Sequence, residues 1–244
     1  AKTYLEVSNG YIGEYFYPQK FSFACRDEAW RLNVSHCGGK FVGLDITQDN
    51  IYIAVQLWIN NRRVAEAIFG NISNWDTSKI TDMSLLFNGA TYFNDDITNW
   101  DTSSVTNMYG MFRDAEHFNQ DINTSGSKWD TSKVTDMTNL FIRAYAFNGN
   151  ISNWDTSMVN FMQNMFDNAN AFDQDITSWI VVNVKTMNQM FTKAYVFDRD
   201  IRVWTLNGLI PPDLTDMFFH ANAMYTTYNG TPGYGDTPLS TFFS

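Results

Sequence analysis

Residues Phe93 to Phe112 read Phe-Asn-Asp-Asp-Ile-Thr-Asn-Trp-Asp-Thr-Ser-Ser-Val-Thr-Asn-Met-Tyr-Gly-Met-Phe, and the same order of residue types returns along much of the chain. Its tryptophan marks the period: Trp75, Trp100, Trp129, Trp154, Trp179 and Trp204 stand 25 apart, except for a 29-residue gap after Trp100. That gap holds four extra residues within Asn-Thr-Ser-Gly-Ser-Lys between Ile122 and Trp129, a composition that marks a loop. A fixed period of this length is the signature of a repeat protein, in which one unit cannot bury its apolar side alone and successive units must stack.

Within each unit the apolar residues keep their places. Met83, Phe87 and Ala90 stand at i, i+4 and i+7, as do Met108, Phe112 and Ala115. That spacing predicts one stripe of a short α-helix, with Thr81-Asp82 as its start signal. Phe93 to Ile97 alternates apolar and polar positions and predicts a short strand, followed by a Trp-Asp-Thr-Ser turn. The expectation is an α/β solenoid of short parallel strands and short helices, with residues 71–224 forming five to six coils. Residues 1–70 are expected to cap its start, with aromatic strands followed by a helix from Asp49 to Phe69 that Gly70 ends. Residues 225–244, rich in Gly, Pro, Tyr and Thr, are expected to close its far end as an extended tail.

Composition removes several classes of function. At 244 residues the chain has length for a real core, and 44% apolar, 16% aromatic and 17% charged residues exclude an intrinsically disordered chain. The net charge of −10 and the lack of a basic cluster argue against nucleic acid as a partner. The apolar run Ile51 to Ile59 is interrupted by Gln56 and falls short of the roughly 20 residues that a membrane-spanning helix needs, so no membrane insertion is expected.

The polar residues offer few reaction centres. Asp76, Asp101, Asp130 and Asp155 form one recurrent column, and Asp96, Asp121, Asp175 and Asp200 another. Carboxylate ladders can bind calcium, but such residues also bond backbone amides two positions on, and the second reading is preferred. His36, His117 and His220 have no partner at metal-binding or nucleophile spacing, and the eleven methionines recur where a core needs them. No metal, cofactor or catalytic residue is expected. Cys25 and Cys37 are too few for a structural zinc site and read as a disulfide or two buried thiols, the disulfide being expected in an extracellular chain. Asn33, Asn71, Asn123, Asn150 and Asn229 open glycosylation triplets, common by chance in a chain this rich in Asn, Ser and Thr. One strand column varies from copy to copy, Asp95, Gln120, Gly149, Gln174 and Arg199, and so does the column Asn88, Arg113, Ile142, Asp167 and Thr192. Variation at a fixed place predicts exposure, and Asp95, Gln120, Gln174 and Arg199 are the expected binding residues.

The unit Phe-Asn-x-Asp-Ile-x-x-Trp-Asp-Thr-Ser-x-Val-Thr-x-Met-x-x-x-Phe, best matched by Phe118 to Ile122 and Trp129 to Met137, resembles the 25-residue repeat of mycoplasma-type surface lipoproteins, also grouped with BspA-like leucine-rich repeats. The helical stretch ahead of Gly70 to Trp75 resembles the leader of such arrays in algal, protist and large-virus proteins. The resemblance implies a leucine-rich-repeat-like, right-handed coil and a non-enzymatic protein on a cell or virion surface. Its work would be adhesion or the binding of a protein or glycan partner, or packing within a larger assembly.

Overall fold

The computed structural model describes residues 43–124 and 128–243, all in one compact unit, Gly43–Ser244. The strands expected before residue 43 and the Cys25–Cys37 pair lie outside the described residues. Two helices open the unit, α1 at Ile51–Asn60 and α2 at Arg62–Phe69. The Asn61 side chain between them accepts from the Val64 amide, and Gly70, at φ +75°, ends α2 in the left-handed region that glycine enters without strain. Ile51, Ala54, Val55 and Trp58 of α1 are buried.

The repeats that follow do not form the leucine-rich-repeat-like solenoid of parallel strands and helices expected from the spacing. Among the described residues there are no strands, and between Trp75 and Trp204 the only helical piece is a single 3-10 turn, Ile201–Val203 just before the last tryptophan; another, Ile72–Asn74, stands just before the first. Successive units touch through isolated parallel bridges, Asp82 to Asn107 to Asp136 to Phe161 to Thr186 to Asp213.

Backbone conformation explains why no helix forms. Leu85 and Gly89 have φ of +57° and +73°, and the pair recurs four residues apart in every unit: Gly110 and Asp114, Asn139 and Arg143, Asn164 and Asn168, Gln189 and Lys193, Asp216 and His220. A left-handed residue every fourth position cannot sit in a right-handed helix. It closes tight turns instead, with Leu86, Asn88 and Ala90 donating to the carbonyls of Met83, Leu85 and Phe87 at 3.0–3.3 Å. The intervening amides of Met83, Leu85, Phe87 and Gly89 donate to Asn107, Tyr109, Met111 and Arg113 of the next unit at 2.7–3.0 Å. Amides thus alternate between the turn and the neighbouring coil. The i, i+4, i+7 stripe is produced by a four-residue turn period, and Met83, Phe87 and Ala90 are indeed buried.

The segment expected to be a strand, Phe93 to Ile97, is also held by side chains rather than by a ladder. Asn94 accepts the Asn119 amide, Asn119 that of Asn148, Asn148 that of Asp173 and Asp173 that of Asp198, at 2.8–3.2 Å. At the opposite corner each indole reaches back one coil: Trp100, Trp129, Trp154, Trp179 and Trp204 donate to the carbonyls of Ile72, Ile97, Ile122, Ile151 and Ile176. The buried threonines of the Trp-Asp-Thr-Ser turns reach forward, Thr77, Thr102 and Thr131 donating to the carbonyls of Asp101, Asp130 and Asp155. Between the corners, Phe87, Phe112, Phe141, Phe166 and Phe191 form a continuous stack with neighbouring centroids 5.5–5.7 Å apart. Each such pair adds about 0.5–1.5 kcal/mol beyond the burial of its area.

Both ends of the stack are closed by groups that imitate a coil. At the first, Gln48 Oε1 accepts from the Thr81 and Asp82 amides while its Nε2 donates to the Asp82 carbonyl. At the last, the segment expected to be extended contains helix α3, Asn222–Tyr228, and the Phe218 amide donates to Asp236 as its equivalents do to the next coil. Tyr234 and Phe242 lie against the Phe218 ring.

Candidate functional site

The column expected to bind a partner is used by the scaffold. Asp95 accepts from the Trp58 indole at 2.8 Å and pairs with Arg62, which joins the helical opening to the first coil. Gln120 donates to the Asn94 carbonyl and side chain at 2.8 and 3.0 Å, and Gln174 makes the same two bonds to Asn148 at 2.8 and 2.9 Å. Arg199 grips the Asp173 carbonyl and carboxylate. All four are half-buried in one column, with the polar atoms of Gln120, Gln174 and Arg199 committed to the coil before and those of Asp95 to the opening helices. Gly149 breaks the column because a Cβ there would lie 2.0 Å from the Gln120 carbonyl oxygen. The second variable column is not uniformly exposed either, since Ile142 and Thr192 are buried.

The Asp columns are turn caps, except at Asp121, whose carboxylate accepts the Asn150 amide of the next coil. Asp76, Asp101, Asp130 and Asp155 accept the amides of Ser78, Ser103, Ser132 and Ser157, and Asp96 and Asp175 those of Thr98 and Thr177. The Ser78 hydroxyl and amide hold the Asp76 carboxyl below its ordinary range, and Thr98 and Thr177 do the same to Asp96 and Asp175. Among the described residues no three His, Cys, Asp or Glu side chains converge as a metal site, and no helix is long and apolar enough to cross a membrane. A shallow depression of about 540 Å³ lies beside the four-residue insertion, lined by Asp101, Asp130, Lys128 and Asn153 among others. Its two named carboxylates are the turn caps already described.

What stays open is the side of the stack just before the Asn94 column. Tyr145 and Tyr195 occupy one position two coils apart, with Asn170 between them. The Ala171 amide donates to the Tyr145 carbonyl and the Ala223 amide to that of Tyr195, which keeps this edge in register. The Tyr92 and His117 rings lie 5.2 Å apart on the first two coils, tilted by 40°. Beside the tyrosines run polar side chains: Arg143 makes a two-point ion pair with Asp114, which lowers that carboxyl through its hydrogen bonds. Burial raises the Asp167 carboxyl next to Asn168. The signal was present in the sequence as tyrosines falling outside the repeat's own aromatic positions.

A second open surface is apolar. In the last coils the turn positions held by Asp76, Ser78 and Lys79 in the first carry Ile180, Val182 and, one coil earlier, Met158, all exposed. Leu209 follows at 94% exposure with Ile210 beside it.

This architecture, a stack of turn-built coils with a 25-residue tryptophan period, defines a repeat protein. The family model described as Mycoplasma protein of unknown function, DUF285, matches it twice, over residues 59–126 and 123–230. The chain belongs to that family. No curated protein and no solved structure matches it.

Proposed function

We propose that this is a non-enzymatic protein displayed on a cell or particle surface, where it works by binding a protein or glycan partner. The observation that carries the reading is the division of labour within each coil. Trp, Met, Phe, Thr and the Asx residues are consumed in holding coil to coil, and the side bearing Tyr92, Tyr145 and Tyr195 is left to differ from one coil to the next. Arrays of this kind present long, even surfaces suited to recognition. Membership in a mycoplasma-type repeat family is in keeping with surface display, and the helical leader ahead of Trp75 supports kinship with algal, protist or large-virus arrays.

Fluorescently labelled protein titrated onto intact cells is expected to bind saturably, and antibody against it to stain unpermeabilised source cells or particles. Unsaturable uptake together with staining only after permeabilisation would defeat the reading.

A second reading, a structural component of a virion or cell-surface layer, is favoured by Leu209, Ile210, Ile180, Val182 and Met158, an exposed apolar group that the fold does not use. It predicts ordered, stoichiometric incorporation into such a layer and its loss in Leu209→Glu.

A further inference from the structure

The tyrosines outside the repeat pattern carry an inference about the ligand, and it rests on the binding reading above. Every aromatic that recurs in the repeat packs against its counterpart in a neighbouring coil or another ring of its own coil. Tyr145 and Tyr195 are not. Neither ring packs against another ring, and neither hydroxyl has a hydrogen-bond partner among the described residues. They leave 38% and 40% of their area open. Aromatic area exposed at a fixed position in a regular stack, with nothing in the fold to use it, is available to a ligand face.

Spacing and surroundings narrow the ligand. The two tyrosines are two coils apart, which is about 10 Å at the ~4.8 Å separation of hydrogen-bonded chains. The coil between them puts small residues there: Asn170 stands in the tyrosine position, beside Ala171 and next to Ala146 of the coil below. Arg143, Asp114, Asp167 and Asn168 border the strip with planar guanidinium, carboxylate and amide groups. Two rings about a disaccharide's length apart, with an asparagine between them and planar polar groups along one side, suit a chain of sugar rings. Such a chain offers an apolar face to each aromatic and hydroxyls to its flanks. A charge of −10 on the whole chain disfavours an acidic polymer. A protein partner would be better matched by a continuous apolar centre than by two rings separated by amides.

We infer that the face formed by Tyr145, Asn170 and Tyr195 binds a neutral, extended β-linked polysaccharide running along the stack, with one disaccharide repeat per two coils.

Affinity gel electrophoresis with dissolved mixed-linkage β-glucan, xyloglucan, galactomannan and, as the acidic comparison, alginate tests this, using the full chain and its Tyr145→Ala, Tyr195→Ala and double variants. Circular dichroism melts show that each variant folds. Retardation of the parent protein by at least one neutral polymer is expected, with a loss of at least about tenfold in affinity for each single variant and near-complete loss for the double variant. Tyr145→Phe is expected to keep most of the affinity, because the ring rather than the hydroxyl makes the stacking surface. No retardation by any neutral polymer, retardation by alginate alone, or retardation that survives the double variant would overturn the inference. Saturable binding of the same protein to intact cells alongside a blank polysaccharide panel would point to a protein partner, leaving the broader binding reading in place while removing this one.

Discussion

Thr102 makes two bonds to one residue of the next coil, donating from Oγ1 to the Asp130 carbonyl at 2.8 Å and accepting from the Asp130 amide at 2.7 Å. Thr102→Val keeps the shape and removes both partners. It is expected to lower stability by about 1–3 kcal/mol in urea unfolding, since the half-buried Asp130 amide and carbonyl lose these bonds together. Gly149 is constrained differently. A Cβ would stand 2.0 Å from the Gln120 carbonyl oxygen, so Gly149→Ala has to push two coils apart. A loss of about 2–4 kcal/mol is expected, larger than the entropy gained by removing a glycine. A variant as stable as the parent would mean that the coils are not in contact there. At this scale the sequence displayed a good deal: the Trp, Met and Phe columns are buried where their recurrence placed them, and the Asp columns, Asp121 apart, cap turns. It hid the fate of Asp95, Gln120, Gln174 and Arg199. Variation at a fixed position reports only that several side chains fit, and here Gln120, Gln174 and Arg199 fit by bonding to the preceding coil and Asp95 by bonding to the opening helices.

At the scale of the element, the misread helix has a physical cause. An apolar residue at i, i+4 and i+7 is common to a helix and to successive four-residue turns, and periodicity alone does not separate them. The distinguishing residues were visible as Gly89, Gly110, Asn139, Asn164 and Asn168, types that enter the left-handed region most readily. Leu85, Arg143, Gln189 and Lys193 concealed the pattern, because the inter-coil bonds impose the same conformation on residues that do not prefer it. The closing segment makes a pH prediction. Tyr234 is packed against Phe218, Tyr228 and Phe242, and burial, with Asp236 nearby, pushes its phenol up to about 12. Raised above the ordinary value near 10, it favours the packed form below pH 10, and that contribution is lost as the pH climbs from about 10 towards 12. Thermal melts are expected to fall over that window in the parent and to fall less in Tyr234→Phe. Identical pH profiles would show that the ring is not held as described.

Across the whole molecule, each coil gives its backbone and indole bonds to its neighbours, so the array is a one-dimensional assembly whose two ends are closed by Gln48 and by the segment around Asp236. The tryptophan period alone announced the stacking and left the lateral tyrosines as surface. Direct detection of the inter-coil hydrogen bonds tests this most sharply, through nitrogen-to-carbonyl couplings measured by NMR on deuterated protein. Couplings are predicted from the Phe112 amide to the Leu140 carbonyl, from Phe141 to Met165 and from Phe166 to Met190. Couplings from those amides to carbonyls four residues earlier in their own coil, from Phe112 to Met108 for example, would contradict the stack and restore the helix.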